Sequence, residues 1–121
     1  MKICISSTGT DLASPLDPRF GRATCLLVVD SETGKSSHLE GATGGAHAAG
    51  VQAARSVIKA GATVVVTGQM GPRAFEVLSA AGIAVYLAPG GSVVGAIRDL
   101  EAGRLEEITS ASGPAHAGMR A

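Results

Sequence analysis

Thr63-Val64-Val65-Val66-Thr67, running directly into Gly68-Gln69-Met70-Gly71-Pro72, decides the reading of this chain. Five β-branched residues in a row leave no polar face, which marks a strand buried on both sides in a parallel sheet. The two glycines that follow break the strand. Pro72 suits the first turn of a helix, where its missing N–H would have had no partner. This helix is expected over 72–81, with Gly82 as its stop, and another apolar strand follows at 83–87. Strand, glycine loop, helix and strand form one crossover unit, so the two strands should be parallel and the connection right-handed.

Outward from that unit, residues 3–6 read as a short strand with apolar residues on both faces, hence central. Residues 7–18 are turn-rich, and Pro15 and Pro18 prevent regular structure there. Residues 25–30 form a second strand, 31–35 a hairpin-length connection, and 36–40 a polar third strand suited to an edge. The period then changes: the run 47–60 places Val51, Ala54, Val57 and Ile58 on one helical face, and Gly61 ends it. Near the other end, Pro89-Gly90-Gly91 leads to Ser92, a candidate N-cap for a helix through 100, which Gly103 closes. The order β-β-β-α-β-α-β-α predicts a three-layer, ribonuclease-H-like α/β fold with a five-stranded mixed sheet. A flavodoxin-like sheet would need a helix between the first two strands, where the prolines stand. One domain is expected over 1–108, with a flexible, Gly/Ala/Ser-rich C-terminal tail over 109–121.

The whole chain has 121 residues, 10 Lys+Arg against 10 Asp+Glu, 17 glycines and two cysteines. Balanced charge excludes a general electrostatic grip on nucleic acid or an anionic membrane. With Phe20, Phe75 and Tyr86 as the aromatics, a base-stacking platform is excluded too. No apolar run reaches the roughly 20 residues of a membrane span. Met1-Lys2-Ile3-Cys4-Ile5 enters a strand without the anatomy of a signal peptide, so a cytoplasmic protein with reduced thiols is expected. The sequence sets no oligomeric state.

If strands one, three, four and five run the same way, the loops 7–21, 41–47, 68–71 and 89–91 emerge at one edge of the sheet. Ligands of open α/β sheets bind at that edge. Three of these loops lead into helix N-termini, whose free N–H groups and dipoles attract anions. Two-metal nuclease chemistry would need carboxylates on the central strands, but strand one offers Ser6 and Ser7, and strand four offers valine and threonine. Neither a P-loop nor Gly-x-Gly-x-x-Gly occurs. Candidate metal ligands are His47 at the opening of the first helix, Cys25 at the start of strand two, and the Met70 thioether. Cys4 reads as a core residue and His38 as solvated surface, while His116 and Met119 fall in the tail. The absence of Cys-x-x-Cys or His-x-x-x-His excludes a closed structural zinc site.

Three stretches carry a resemblance. Asp17-Pro18-Arg19-Phe20-Gly21-Arg22-Ala23, with Val28-Val29-Asp30 after it, resembles the start of the dinitrogenase iron–molybdenum cofactor biosynthesis family. Gly44-Gly45-Ala46-His47-Ala48-Ala49-Gly50-Val51-Gln52-Ala53-Ala54 is similar to its glycine loop and first helix. Val65-Val66-Thr67-Gly68-Gln69-Met70-Gly71-Pro72-Arg73-Ala74-Phe75 is similar to its central signature. The resemblance implies a non-enzymatic carrier that holds an iron–sulfur cluster, or an iron–molybdenum cofactor or its precursor, transiently. Its partners would be the metallocluster and cluster-assembly proteins. It also implies a binding edge made from Arg19, Phe20, Gly21, Gly44, Gly45, Gly68, Met70, Gly71, Gly90 and Gly91, with His47 and Cys25 as metal ligands. Carriers of this family tend to have histidine where Arg19 stands. Arg19 cannot ligate a metal, but it can pair with an anionic cluster. The alternative is a metal-free regulatory or protein-interaction module that kept the fold.

Overall fold

A computed structural model describes residues 1–40 and 49–109. It contains the strands β1 (Lys2–Ser7), β2 (Cys25–Asp30), β3 (Ser36–Glu40), β4 (Val64–Thr67), β5 (Ala84–Leu87) and β6 (Glu106–Glu107). Its helices are α1 (Ala49–Lys59), α2 (Pro72–Ala80) and α3 (Val93–Glu101). The strands form one mixed sheet in the order β3-β2-β1-β4-β5-β6. β4 lies parallel to β1 and to β5, with Ile5 opposite Val66 and Val66 opposite Tyr86. β2 runs antiparallel to both of its neighbours.

Side-chain alternation along the strands divides the core in two. Cys4, Leu26, Val28, Val65 and Val85 point to one face, where they meet Ala53, Ala54 and Val57 of α1 and Ala74 and Leu78 of α2. Ile3, Ile5, Leu27, Val29, Val64 and Val66 point to the other, where Val93, Ala96 and Ile97 of α3 cover them together with Leu16. The sheet is therefore the middle of three layers, and its central strands need no polar face. Small residues let the helices approach closely: a Cβ at Gly50 would stand 3.4 Å from the Cβ of Ala74.

Helix ends fall where the glycines predict. Gly82 has φ +78°. Its N–H donates to Ser79 O at 3.0 Å, and that of Ile83 donates to Leu78 O at 3.0 Å. This is the two-bond closure of a left-handed C-terminal cap. Leu78 and Ile83 pack in the same core cluster, so the turn that ends α2 also seats β5. Ser92 caps α3 as expected, its Oγ accepting the Gly95 N–H at 3.1 Å.

Two features correct the expected pattern. The sheet has six strands, not five. Glu106 and Glu107 pair antiparallel with Leu87 and Tyr86, and the Ile108 N–H donates to Val85 O at 2.9 Å. Two adjacent glutamates have neither β propensity nor alternation, so nothing in their pattern announces a strand; as a charged edge they shield β5 from pairing with another chain. The second feature is a single 3-10 turn over Phe20–Arg22, whose buried Phe20 enters the core beneath α1. The N-terminal part of the expected first helix and the tail over 110–121 lie outside the described residues.

Leu78 is fully buried, whereas Ile58, expected on the same α1 face as Ala54 and Val57, departs from that expectation and is 39% exposed. Replacing Leu78 with alanine should lower unfolding free energy by about 2–5 kcal/mol. Ile58→Ala should change it by no more than about 0.5 kcal/mol, both read by chemical denaturation.

Candidate functional site

Parallel pairing brings the carboxyl ends of β1, β3, β4 and β5 to one edge, and the start of β2 joins them because Cys25 pairs with both Ser7 and Glu40. The long connection after β1 folds back across this edge and is tied down at both ends. On one side, the Leu16 N–H donates to Gly91 O at 2.8 Å, and the Val93 and Val94 N–H groups donate to Ser14 O and Leu12 O. On the other, the Asp17 N–H donates to Ser6 O at 2.9 Å, and that of Phe20 donates to Gln69 O at 3.3 Å. Arg19 and Gln69 form a parallel bridge. The connection thus runs between the loop after β4 and the loop after β5.

Two backbones come into contact at Gly68. A Cβ there would stand 2.7 Å from Pro18 Cα and 2.8 Å from Pro18 O. Glycine is required because two backbones touch. Below this contact lie two fully buried hydroxyls, Ser6 and Thr67. Ser6 Oγ is 2.6 Å from the carbonyl oxygen of Asp17 and 2.8 Å from Thr67 Oγ1.

Charge at the edge is arranged by the same loop. Asp17 is 5% exposed, and its Oδ1 accepts the Arg19 N–H at 3.0 Å. Arg19 itself is exposed, with Nε 3.9 Å from Asp17 Oδ1. The acid is turned inward and the guanidinium outward. Among the described residues, no helix has an acidic residue in its first turn, and Gly71, the N-cap of α2, offers no side-chain acceptor to the helix N–H groups. The exposed Arg73 stands in the first turn of α2, where the helix dipole disfavours a cation and a bound anion would offset it.

The expected site residues divide accordingly. Arg19, Gly21, Gly68, Gly71, Gly90 and Gly91 all stand on loops of this edge; Gly71, Gly90 and Gly91 have open space above their α-carbons. Phe20 and Met70 are instead 2% exposed and share the core cluster under α1 and α2. Their contribution is to anchor the two loops. Cys25 is buried, and its thiol donates to Gly9 O at 2.7 Å; burial raises its pKa. Ligation through Cys25 would require loss of that hydrogen bond and proton. Gly44, Gly45 and His47 lie outside the described residues, as do His116 and Met119. Among the described residues, no group of three or more His, Cys, Asp or Glu side chains is placed to hold a metal ion.

Ser6, Thr67, Asp17 and Arg73 escape a motif-based reading. The usable signal is hydroxyls at the carboxyl ends of two otherwise apolar strands, since buried polar groups need partners.

Gly68→Ala should destabilise the protein by about 1–3 kcal/mol, because the Pro18 backbone must move. Gly71→Ala, where the added Cβ meets nothing within 4 Å, should cost less than about 1 kcal/mol, the effect of a poorer cap. Denaturation of the two variants side by side distinguishes them. Cys4 gives a pH test. Burial pushes its pKa from 9.0 up to about 12. A raised acid pKa means that the fold favours the protonated thiol. That stability is complete below pH 9 and is lost as pH rises towards 12. Wild-type protein should therefore lose more stability than Cys4→Ala over that interval.

Comparison with known proteins agrees with this geometry. Residues 1–103 match the model of the family described as dinitrogenase iron-molybdenum cofactor. The apo form of the orange protein from Desulfovibrio gigas superimposes with a TM-score of 0.88 at 33% identity, over 93% of this chain and 96% of that one. A NifB-named protein of the DUF35 family from Thermotoga gives a TM-score of 0.83 at 35% identity, over 93% and 97%. An uncharacterized protein of Methanocaldococcus jannaschii is 30% identical over 97 residues, which cover 77% of this chain and 82% of that relative.

Proposed function

This chain belongs to the dinitrogenase iron-molybdenum cofactor family, and from that premise we propose that it is a non-enzymatic carrier of an anionic iron–sulfur or iron–molybdenum cluster. The cluster, or a precursor of it, is cargo received from and passed to cluster-assembly proteins. We read the sheet order, with β2 reversed, as a ribonuclease-H-like frame that supports this edge without nuclease carboxylates.

The observation that carries the reading is the exposed Arg19, whose backbone bridges Gln69 two residues before Gly71, the N-cap of an α2 whose first turn has no acidic side chain and no side-chain cap. Backbone N–H groups and guanidinium are the donors suited to the sulfur and oxygen atoms of a polyanion. Open glycines at Gly71, Gly90 and Gly91 would let a bulky cluster reach the backbone. In support, the Desulfovibrio gigas relative is described as an apo form, a term that presupposes a bound state, and the Thermotoga relative carries the name of a NifB protein. His47 remains the proposed direct ligand. A metal-free interaction module is the second reading, and it draws on the commitment of Cys25 and Met70 to internal contacts.

Anaerobic incubation of the full chain with ferrous iron, sulfide and molybdate, followed by desalting, should leave a coloured protein with stoichiometric metal by elemental analysis. Arg19→Gln and His47→Ala should each reduce the retained metal several-fold without changing the unfolding midpoint by more than a few degrees. Colourless, metal-free wild-type protein under these conditions would favour the interaction module.

A further inference from the structure

We propose that Ser6 and Thr67 are positioning residues of this edge, holding the Asp17–Arg19 segment so that Arg19 stays bridged to Gln69, two residues before the N-cap of α2; the role rests on the anionic-cargo reading. Both hydroxyls are fully buried at the carboxyl ends of the two central strands, next to Ile5 and Val66. Alanine and valine would fill these places without a polar atom to satisfy. Replacing a closed buried hydrogen-bonded pair by apolar groups is often nearly neutral for stability, but this pair is not closed, because Ser6 also serves the Asp17 carbonyl. The pair therefore needs a reason beyond the core, and its contacts supply one.

The Asp17 carbonyl can only accept, so the Ser6 proton goes to it across 2.6 Å. The 2.8 Å contact between hydroxyls is then made by the Thr67 proton, with Ser6 Oγ accepting. The result is a directed relay from β4 through β1 to the loop. It ends on the peptide that precedes Pro18, the residue pressed against Gly68. Beyond Pro18, Arg19 bridges Gln69, and the Phe20 N–H donates to Gln69 O. The two hydroxyl steps are short and buried, and the chain carries their effect from Asp17 through Pro18 to Arg19. Ser6 and Thr67 touch no cargo; they act through the placement of the guanidinium.

The test uses the full chain and two readouts. In Ser6→Ala/Thr67→Val, the Asp17 and Phe20 amides should exchange with solvent roughly five to ten times faster, the loss expected from one or two hydrogen bonds, while Val65 and Leu78 amides are unchanged. Thr67→Ser, which keeps the hydroxyl, should exchange like wild type. Thr67→Val alone, which keeps the Ser6–Asp17 bond, should be intermediate and guards against a double variant that does not fold. In the second readout, metal retained after incubation with ferrous iron, sulfide and molybdate should fall in the double variant by as much as in Arg19→Gln. Adding Arg19→Gln to it should cause no further loss, because both act through one group. Unchanged exchange at Asp17 and Phe20, or a loss that adds to that of Arg19→Gln, overturns the proposal. Wild-type protein that retains no metal defeats the carrier reading instead, and the exchange data still decide whether the relay holds the segment.

Discussion

Parallel pairing of β1 with β4 is the constraint on which the rest of this structure depends. Antiparallel neighbours would put consecutive loops at opposite ends of the sheet. Parallel ones require a crossover after each strand and send every carboxyl end to the same side. The two strands are buried on both faces, so they must be apolar and must be covered by helices above and below. The helix N-termini then follow at the same edge as a geometric consequence. The edge that gathers these loops is thus set by strand direction, independently of the residues that the loops carry.

What the pairing does not supply is order in the long connection between β1 and β2. That order comes from contacts of a different kind. Gly68 lets the Pro18 backbone lie against the β4 loop, and Phe20 and Met70 enter the core on either side of the contact. Apolar anchoring fixes depth, while the Ser6–Thr67–Asp17 hydrogen bonds fix rotation and register. Burial of hydroxyls at the end of an apolar strand would be unfavourable without partners, so these bonds confer specificity of placement more than net stability.

This division explains which parts of the molecule could be read in the sequence. The sheet core, the three helices and their stops depend on period and on Gly or Pro, all of which are local signals. Thr63 to Pro72 therefore predicted a buried strand, a loop and a helix start correctly. β6 was not legible because Glu106 and Glu107 pair for the sake of β5, not from their own preference. Phe20 and Met70 were taken for ligand-facing residues because a motif shows only proximity along the chain. Whether a side chain in a loop points out to solvent or in to the core depends on residues far away, here on α1 and α2. The glycines at 68, 71, 90 and 91 stand on loops of this edge because strand direction sets where those loops emerge, whereas Arg19 reaches it through the contacts of Pro18 with Gly68 and of its own backbone with Gln69.

Zero net charge acquires a specific meaning in this setting. The edge needs no surplus of basic residues if the acid beside Arg19 is turned inward. Asp17 is nearly inaccessible, and its carboxylate is occupied by the Arg19 N–H. Its charge is partly spent on the Arg19 backbone N–H and partly on the Arg19 guanidinium 3.9 Å away, while that guanidinium is exposed and the α2 first turn has no acidic side chain. Such an arrangement differs in kind from a thiolate cage. Thiolates bond directly to metal and release it slowly, and the two cysteines here are buried and protonated. Hydrogen bonds from backbone and guanidinium are individually weak, sensitive to salt and quickly remade. For the carrier proposed above, a site of that kind would make release as accessible as capture.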